Sequence, residues 1–265
     1  MFSIHRVGNR SSDQLRSLKV TYDIYPYATG STLFEMGNTK VLCAVTLQNG
    51  VPHFLRGRKC GWLTAEYSLL PASTPVRTVR EITTNKRSGR TIEISRLIGR
   101  SLRAVTDLTA IGEQTIFIDC DVLQADGGTR TACITGAYLA LKAAQVRWLE
   151  KGLISQPFIK DELAAVSVGV GSGSLILDMD FAEDSSIDVD FNFVLTRSHK
   201  IIELQGSAER GLLSWEEHDQ VNKLARKGAA ELFEFYDQHP YELPIGQFYE
   251  KYVSATRFPD FNCDL

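Results

Sequence analysis

The sequence predicts a mixed chain of the α+β class, and three observations predict it. Apolar and polar residues alternate in several short runs, the pattern of half-buried strands. Longer stretches over 91–105, 131–149 and 216–236 read instead as helices. Glycine-rich turns punctuate the joins. At 265 residues the chain can bury a substantial core. We read it as an N-terminal part over 1–150, a C-terminal part over 151–240 and a tail over 241–265.

Residues 18–70 read as strands joined by turns, with Gly37-Asn38 a hairpin signal ahead of the β-rich run from Val41 to Thr46. Residues 71–90 are polar, basic and aperiodic, so a loop is expected, and long loops are commonly functional. From Thr91 the pattern turns helical. Ile94, Leu97, Ile98, Leu102 and Val105 share one stripe, while Glu93, Arg96, Arg100 and Arg103 occupy another face that serves equally as a solvated surface. Arg90 is expected just ahead of this helix, pointing toward a ligand at that end.

Ile116, Ile118, Cys120 and Val122 alternate with Phe117, Asp119 and Asp121 as a strand would, and 131–149 is largely apolar. Gly127, Gly128, Thr129 and Arg130 therefore fall at a helix N-terminus, where free backbone N–H groups and the positive dipole end attract phosphate. A Gly-Gly turn alone is equally a tight connection, so other features must support an anion pocket. Further on, Gly169-Val-Gly-Ser-Gly173 lacks the third spaced glycine of a nucleotide fingerprint, and a hairpin turn is expected there. Leu175, Leu177, Met179 and Phe181 alternate with Ile176, Asp178 and Asp180, predicting a strand with both aspartates on one side. A further strand is expected over 187–195.

The net charge of −3 is unevenly spread. Between Arg77 and Arg103 there are eight Lys/Arg against two Glu, whereas Asp178 to Asp190 holds six acids and no base. Local sign decides who binds where. Asp178, Asp180 and Asp184 concentrate carboxylates that suit Mg²⁺, or form an acidic turn of no consequence. Together with the Gly-Gly turn and the basic loop they are what metal-assisted phosphoryl chemistry on a polyanion requires. No Walker-type loop is present, so an ATPase is not indicated.

The five cysteines and five histidines show neither disulfide nor metal-ligand spacing. No apolar run approaches the roughly 20 residues that span a bilayer. A soluble cytoplasmic protein without a membrane partner is the expectation.

Three long motifs carry a resemblance: Ser88-Gly-Arg-Thr91 running into Glu93-Ile-Ser-Arg-Leu-Ile-Gly-Arg-Ser-Leu-Arg-Ala104, then Asp119 to Thr131, then Leu177 to Ser185. With Asp13-Gln-Leu-Arg16, Gly61 to Tyr67 and Gln205 to Glu209, they closely resemble the ribonuclease PH family over residues 10–235. The resemblance implies an α+β fold of layered sheets and helices in pseudo-repeated halves, assembled as a hexameric ring of dimers. It implies a phosphorolytic 3′-to-5′ exoribonuclease, a nucleotidyltransferase that trims tRNA precursors and other RNA 3′ ends with orthophosphate and releases nucleoside diphosphates. Arg90, Gly128, Thr129 and Arg130 would hold the phosphate. Asp178 and Asp184 would be the catalytic carboxylates and the Mg²⁺ ligands, and Arg77 and Arg80 would touch RNA.

This chain departs from the family pattern at Arg6-Val-Gly-Asn-Arg10, which bears on N-terminal packing, and at Ala72, where the family commonly carries an RNA-contacting arginine. The tail has no clear counterpart. The alternative reading is a non-catalytic RNA-binding or ring-scaffold subunit of an exosome-like assembly, against which the intact carboxylates argue. Ala72 also leaves open an active enzyme whose main substrate is another structured RNA.

Overall fold

The computed structural model describes residues 6, 9–84, 86–171 and 173–243. The first sheet has the order β1-β2-β3-β5-β4, built from Leu18–Tyr22 (β1), Gly30–Met36 (β2), Thr39–Asn49 (β3), Trp62–Leu69 (β4) and Gln114–Gln124 (β5). Its pairs are antiparallel except β4 with β5, whose parallel register demands a crossover. Residues 70–113 supply it, with the short helix α1 (Glu81–Thr84) and the longer α2 (Gly89–Ala104). The expected hairpin is present, for Gly37 and Asn38 alone separate β2 from β3 and Gly37 adopts φ +58°.

Helix α3 (Thr129–Glu150) follows β5. It is apolar on all sides because it is enclosed: one face packs on β2 and β3, and another on β6 (Leu163–Gly171) of the second sheet. Gly30 permits the close approach on the first side, since a Cβ there would lie 2.2 Å from the Ala140 carbonyl oxygen. The second sheet is antiparallel, in the order β7-β6-β8-β9, with β7 (Ser174–Leu177), β8 (Val189–Thr196) and β9 (Ile201–Ala208). Helix α4 (Phe181–Ser186) joins β7 to β8. After β9, α5 (Trp215–Gln238) starts with a capping box, in which Ser214 accepts from the Glu217 N–H at 3.1 Å and Glu217 accepts from the Ser214 N–H at 2.9 Å. One contiguous apolar core runs through both sheets and the helices.

Three expectations of local structure need correction. Helix α2 begins at Gly89, not Thr91, because Ser88 accepts from the Thr91 N–H at 3.0 Å and caps it, so Arg90 lies within its first turn. The expected loop before it also holds α1. The strand expected to carry Asp178 and Asp180 stops at Leu177. Asp178 takes a left-handed φ of +54°, and Asp180 caps α4 by accepting from the Glu183 N–H at 2.9 Å. Asp180-Phe-Ala-Glu183 spells a capping box, and that local preference ends the alternation. Of the tail only residues 241–243 are described. There Tyr241 donates to Asp23 at 3.3 Å, and the remainder lies outside the described residues.

Candidate active site

The Gly-Gly turn is fixed from three directions. Gly127 and Gly128 both adopt positive φ, +75° and +64°, which glycine accepts without strain. Thr39 donates its hydroxyl to the Gly127 carbonyl at 2.6 Å and accepts from the Asp126 N–H at 3.0 Å. Arg16 donates to the carbonyls of Asp126 and Gly127 while holding Asp178 at 2.6 and 3.0 Å through Nη2 and Nε. No side chain caps α3, so the first-turn N–H groups are left for a ligand.

Arg130 and Arg90 flank that opening, one in the first turn of each of two helices. Arg130 donates Nη2 to Glu93 at 3.1 Å, and its buried Nε has no partner among the described residues. Glu93 is held in turn by Gln205 at 3.4 Å. The Thr129 hydroxyl lies 3.1 Å from that of Tyr67, whose phenol burial pushes up to about 12. The Tyr67 hydroxyl thereby orients that of Thr129.

Opposite the arginines stand carboxylates from the second half. Asp184 on α4 and Asp190 on β8 line one cavity of about 440 Å³ with Arg90, Gly128, Thr129 and Arg130. Burial raises Asp184, while Arg90 and Arg130 pull it back. Burial, and then the charge of Asp184, raise Asp190 to about 6 against the opposing pull of Arg130. Asn192 donates to Asp190 at 3.1 Å and fixes its direction. A second opening lined by Arg90, Arg130, Asp190 and Asn192 continues past Gln205 and Ser207.

Asp178 does not join this pair. The residue is 1 % exposed, and both oxygens are taken by Arg16, including the Arg16 backbone N–H at 2.7 Å. Arg10 and Arg6 donate to its carbonyl, at 3.1 and 3.0 Å, and both also reach Glu183. Asp178 was expected as a catalytic carboxylate and metal ligand; here its carboxylate is engaged by Arg16 and holds the turn, while Asp190 lines the cavity with Asp184. The N-terminal departure leaves Arg6 and Arg10 docked on this same segment.

Residues 14–147 match the 3′ exoribonuclease family, domain 1, and residues 161–228 match domain 2 of that family. The chain belongs to the 3′ exoribonuclease family. It is 52 % identical over 226 residues to a protein of Neisseria meningitidis serogroup B named ribonuclease PH, covering 85 % of this chain and 93 % of that one. A ribonuclease PH of Syntrophomonas wolfei is likewise 52 % identical, over 86 % of this chain and 96 % of its own. The fold is shared with rice Rrp46 (TM-score 0.70, 20 % identity, 87 % and 97 % of the two chains). It is also shared with a chain of the Archaeoglobus fulgidus exosome, solved with RNA bound to its active site (TM-score 0.75, 21 % identity, 87 % and 92 %).

In this exoribonuclease-family chain Arg90, Gly128, Thr129, Arg130 and Asp184 line one cavity, together with Asp190. Arg77 and Arg80 stand exposed on the segment between β4 and α1, outside the residues that line the cavity. Arg100 and Arg103 turn inward to the protein: Arg100 pairs with Glu203 through two 2.8 Å bonds, and Arg103 donates to the Leu63 carbonyl at 2.9 Å. Asp190 was detectable, for Asp188, Asp190 and Asn192 alternate with Val189, Phe191 and Phe193 and so share the polar face of a predicted strand.

Proposed function

We propose that the chain is a phosphorolytic 3′-to-5′ exoribonuclease that trims tRNA precursors and other RNA 3′ ends. One observation carries this reading: two arginines and an uncapped helix N-terminus face a carboxylate pair across a single cavity. Orthophosphate sits at the first-turn N–H groups of Gly128 and Thr129, with Arg90 and Arg130 neutralising its oxygens. One of its oxygens attacks the phosphorus of the terminal phosphodiester. The bond from that phosphorus to the preceding nucleotide's O3′ breaks. The terminal nucleotide leaves as a nucleoside diphosphate, and the shortened RNA keeps a 3′ hydroxyl. The departing O3′ takes up one proton as the attacking hydrogen phosphate gives one up, and Asp184 serves that transfer as an ionised acceptor at the cavity wall.

A divalent cation, Mg²⁺ by its preference for one or two carboxylates plus water and substrate phosphate, fits Asp184 and Asp190. Asp190 is raised in part by the charge of Asp184, a repulsion that such a cation relieves. Among the described residues no group of three or more metal-binding side chains exists, so the remaining ligands are water and phosphate oxygen. A cation held there by Asp184 and Asp190 would supply positive charge to the phosphoryl oxygens and the leaving oxygen.

Arg77 and Arg80 guide the RNA strand through its phosphates. A homohexameric ring of dimers is the assembly this reading carries, as the resemblance to the ribonuclease PH family implies. The cytoplasm is the compartment, consistent with the four described cysteines being unpaired. No helix among the described residues is long and apolar enough to cross a membrane.

The test is to incubate the chain and Mg²⁺ with a tRNA bearing a short 3′ extension, with and without orthophosphate, and to identify the nucleotides released. Diphosphates that form only with phosphate support the reading. Monophosphates formed without phosphate mean hydrolysis, and binding without release means a scaffold.

A further inference from the structure

Three strands of the second sheet bring Ser167, Asn192 and Gln205 into one row. Ser167 stands directly opposite Asn192 between β6 and β8, and Asn192 opposite Gln205 between β8 and β9. Directly opposed residues present their side chains on the same sheet face. That face looks toward the start of α2 and α3, because Gln205 donates to Glu93 at 3.4 Å and Glu93 accepts from Arg130 at 3.1 Å. Gln205 and Asn192 both have protein partners, the latter donating to Asp190 at 3.1 Å.

Ser167 does not. Its residue is 4 % exposed, its hydroxyl has no hydrogen-bond partner among the described residues, and it lines the same cavity as Thr129, Arg130 and Asp184. Of the buried polar side-chain atoms without a partner among the described residues, Arg130 Nε alone shares that lining with it. Leaving a buried donor unpaired is destabilising, and such groups in a folded protein call for an explanation, often a ligand. Here the two residues that carry such donors, one from each half of the chain, line a cavity that also holds an uncapped helix N-terminus. A small oxyanion with acceptors on several sides satisfies all of them at once.

We propose that Ser167 is a further orthophosphate-binding residue, its hydroxyl donating to the phosphate from the second sheet while Thr129, Arg130 and Arg90 hold it from the first half. This inference rests on the phosphorolytic reading above. A hydroxyl suits the position because it adds a donor beside the Asp184 and Asp190 carboxylates without adding a charge that would compete for them. It also makes phosphate a bridge between the halves, so that binding the anion stiffens the arrangement in which Asp184 faces Arg130.

The full chain is compared with Ser167→Ala and Ser167→Cys by two readouts. The first is the rise in Tm on adding orthophosphate without RNA. The second is KM for phosphate against kcat during nucleoside diphosphate release from a 3′-extended RNA. Ser167→Ala should match or exceed the wild-type Tm without phosphate, since the hydroxyl it removes has no partner in the protein. It should show a smaller phosphate-induced rise and a KM for phosphate raised about 10-fold, the scale of one lost hydrogen bond to an anion, with kcat at saturation unchanged. Cysteine, a weak donor of similar size, should fall between.

A phosphate response equal to wild type in both readouts overturns the assignment. So does a raised KM for RNA with phosphate unaffected, which moves the hydroxyl to the RNA side. A lower Tm without phosphate makes Ser167 structural and overturns it as well. If the wild-type chain itself releases nucleotides without phosphate, the phosphorolytic reading fails. If it needs phosphate and the variants behave like it, only the role of Ser167 fails.

Discussion

Arg16 holds Asp178 through three donors, its backbone N–H, Nε and Nη2, at 2.7, 3.0 and 2.6 Å, while its remaining guanidinium contacts reach the carbonyls of Asp126 and Gly127. This one ion pair ties the N-terminal segment, the Gly-Gly turn and the end of β7 into a single unit. The turn that offers N–H groups to an anion is thus fixed by a carboxylate that never faces the anion.

Asp178→Ala should destabilise the fold. It leaves the buried Arg16 guanidinium without its counter-charge, which costs about 3–5 kcal/mol. Thermal unfolding with and without Mg²⁺ checks this, and the fall in Tm should be the same in both. A variant that folds as stably as wild type but has lost its Mg²⁺ response would return Asp178 to the metal.

Asp184→Asn and Asp190→Asn should each lower turnover by about 100-fold or more, while changing RNA affinity by less than about 3-fold. Single-turnover trimming, together with equilibrium binding to the same RNA, separates the two effects. Full activity in Asp190→Asn would remove it from the carboxylate pair.

Asp190 should also make stability depend on pH. Burial and the neighbouring Asp184 raise its carboxyl from 3.8 to about 6 in the folded chain. Between these values the folded state keeps a proton that the unfolded chain has released, so this group's contribution declines as pH rises from about 4 to about 6. Above that window Asp190→Asn should be more stable than wild type by about 3 kcal/mol without metal, and below it the two should converge. Denaturant unfolding at pH 4.5 and pH 7.5 in a metal chelator reads this directly, and a gap that does not change with pH would contradict it.

Glu93→Ala should raise KM for orthophosphate about 3-fold with little change in kcat. The pair it forms with Arg130 is partly exposed, and such pairs contribute modestly. Its function is to fix the Arg130 guanidinium at the cavity wall, so Glu93→Gln, which can still accept, should recover most of the loss. Phosphate titrations at saturating RNA measure it.

Arg77→Ala should weaken RNA binding at low salt and make log Kd less steep against log salt by about one unit, the signature of one lost phosphate contact. A slope equal to wild type would take Arg77 out of the RNA path.

The sequence by itself determined what local chemistry decides. Alternation through Ile116, Ile118, Cys120 and Val122 is observed in β5, the stripe of Ile94, Leu97, Ile98 and Leu102 is the buried face of α2, Gly37-Asn38 is a hairpin turn, and Gly171 pairs with Ser174 where β6 returns as β7. Gly127-Gly128 opens α3 because only glycine takes two successive positive φ angles cheaply. Long motifs identified the family, and Arg90, Thr129, Arg130 and Asp184, which those motifs carry, line one cavity.

Only the tertiary structure decided which carboxylates meet. Asp178, Asp180 and Asp184 are neighbours in the chain, yet a left-handed residue and a helix cap turn the three side chains to different partners: Arg16, the Glu183 N–H and the cavity. Asp190, on another strand, arrives beside Asp184 through the pairing of β6 with β8. Proximity along a chain sets local charge, but the direction of a side chain depends on backbone dihedrals and long-range pairing, and those are properties of the folded whole.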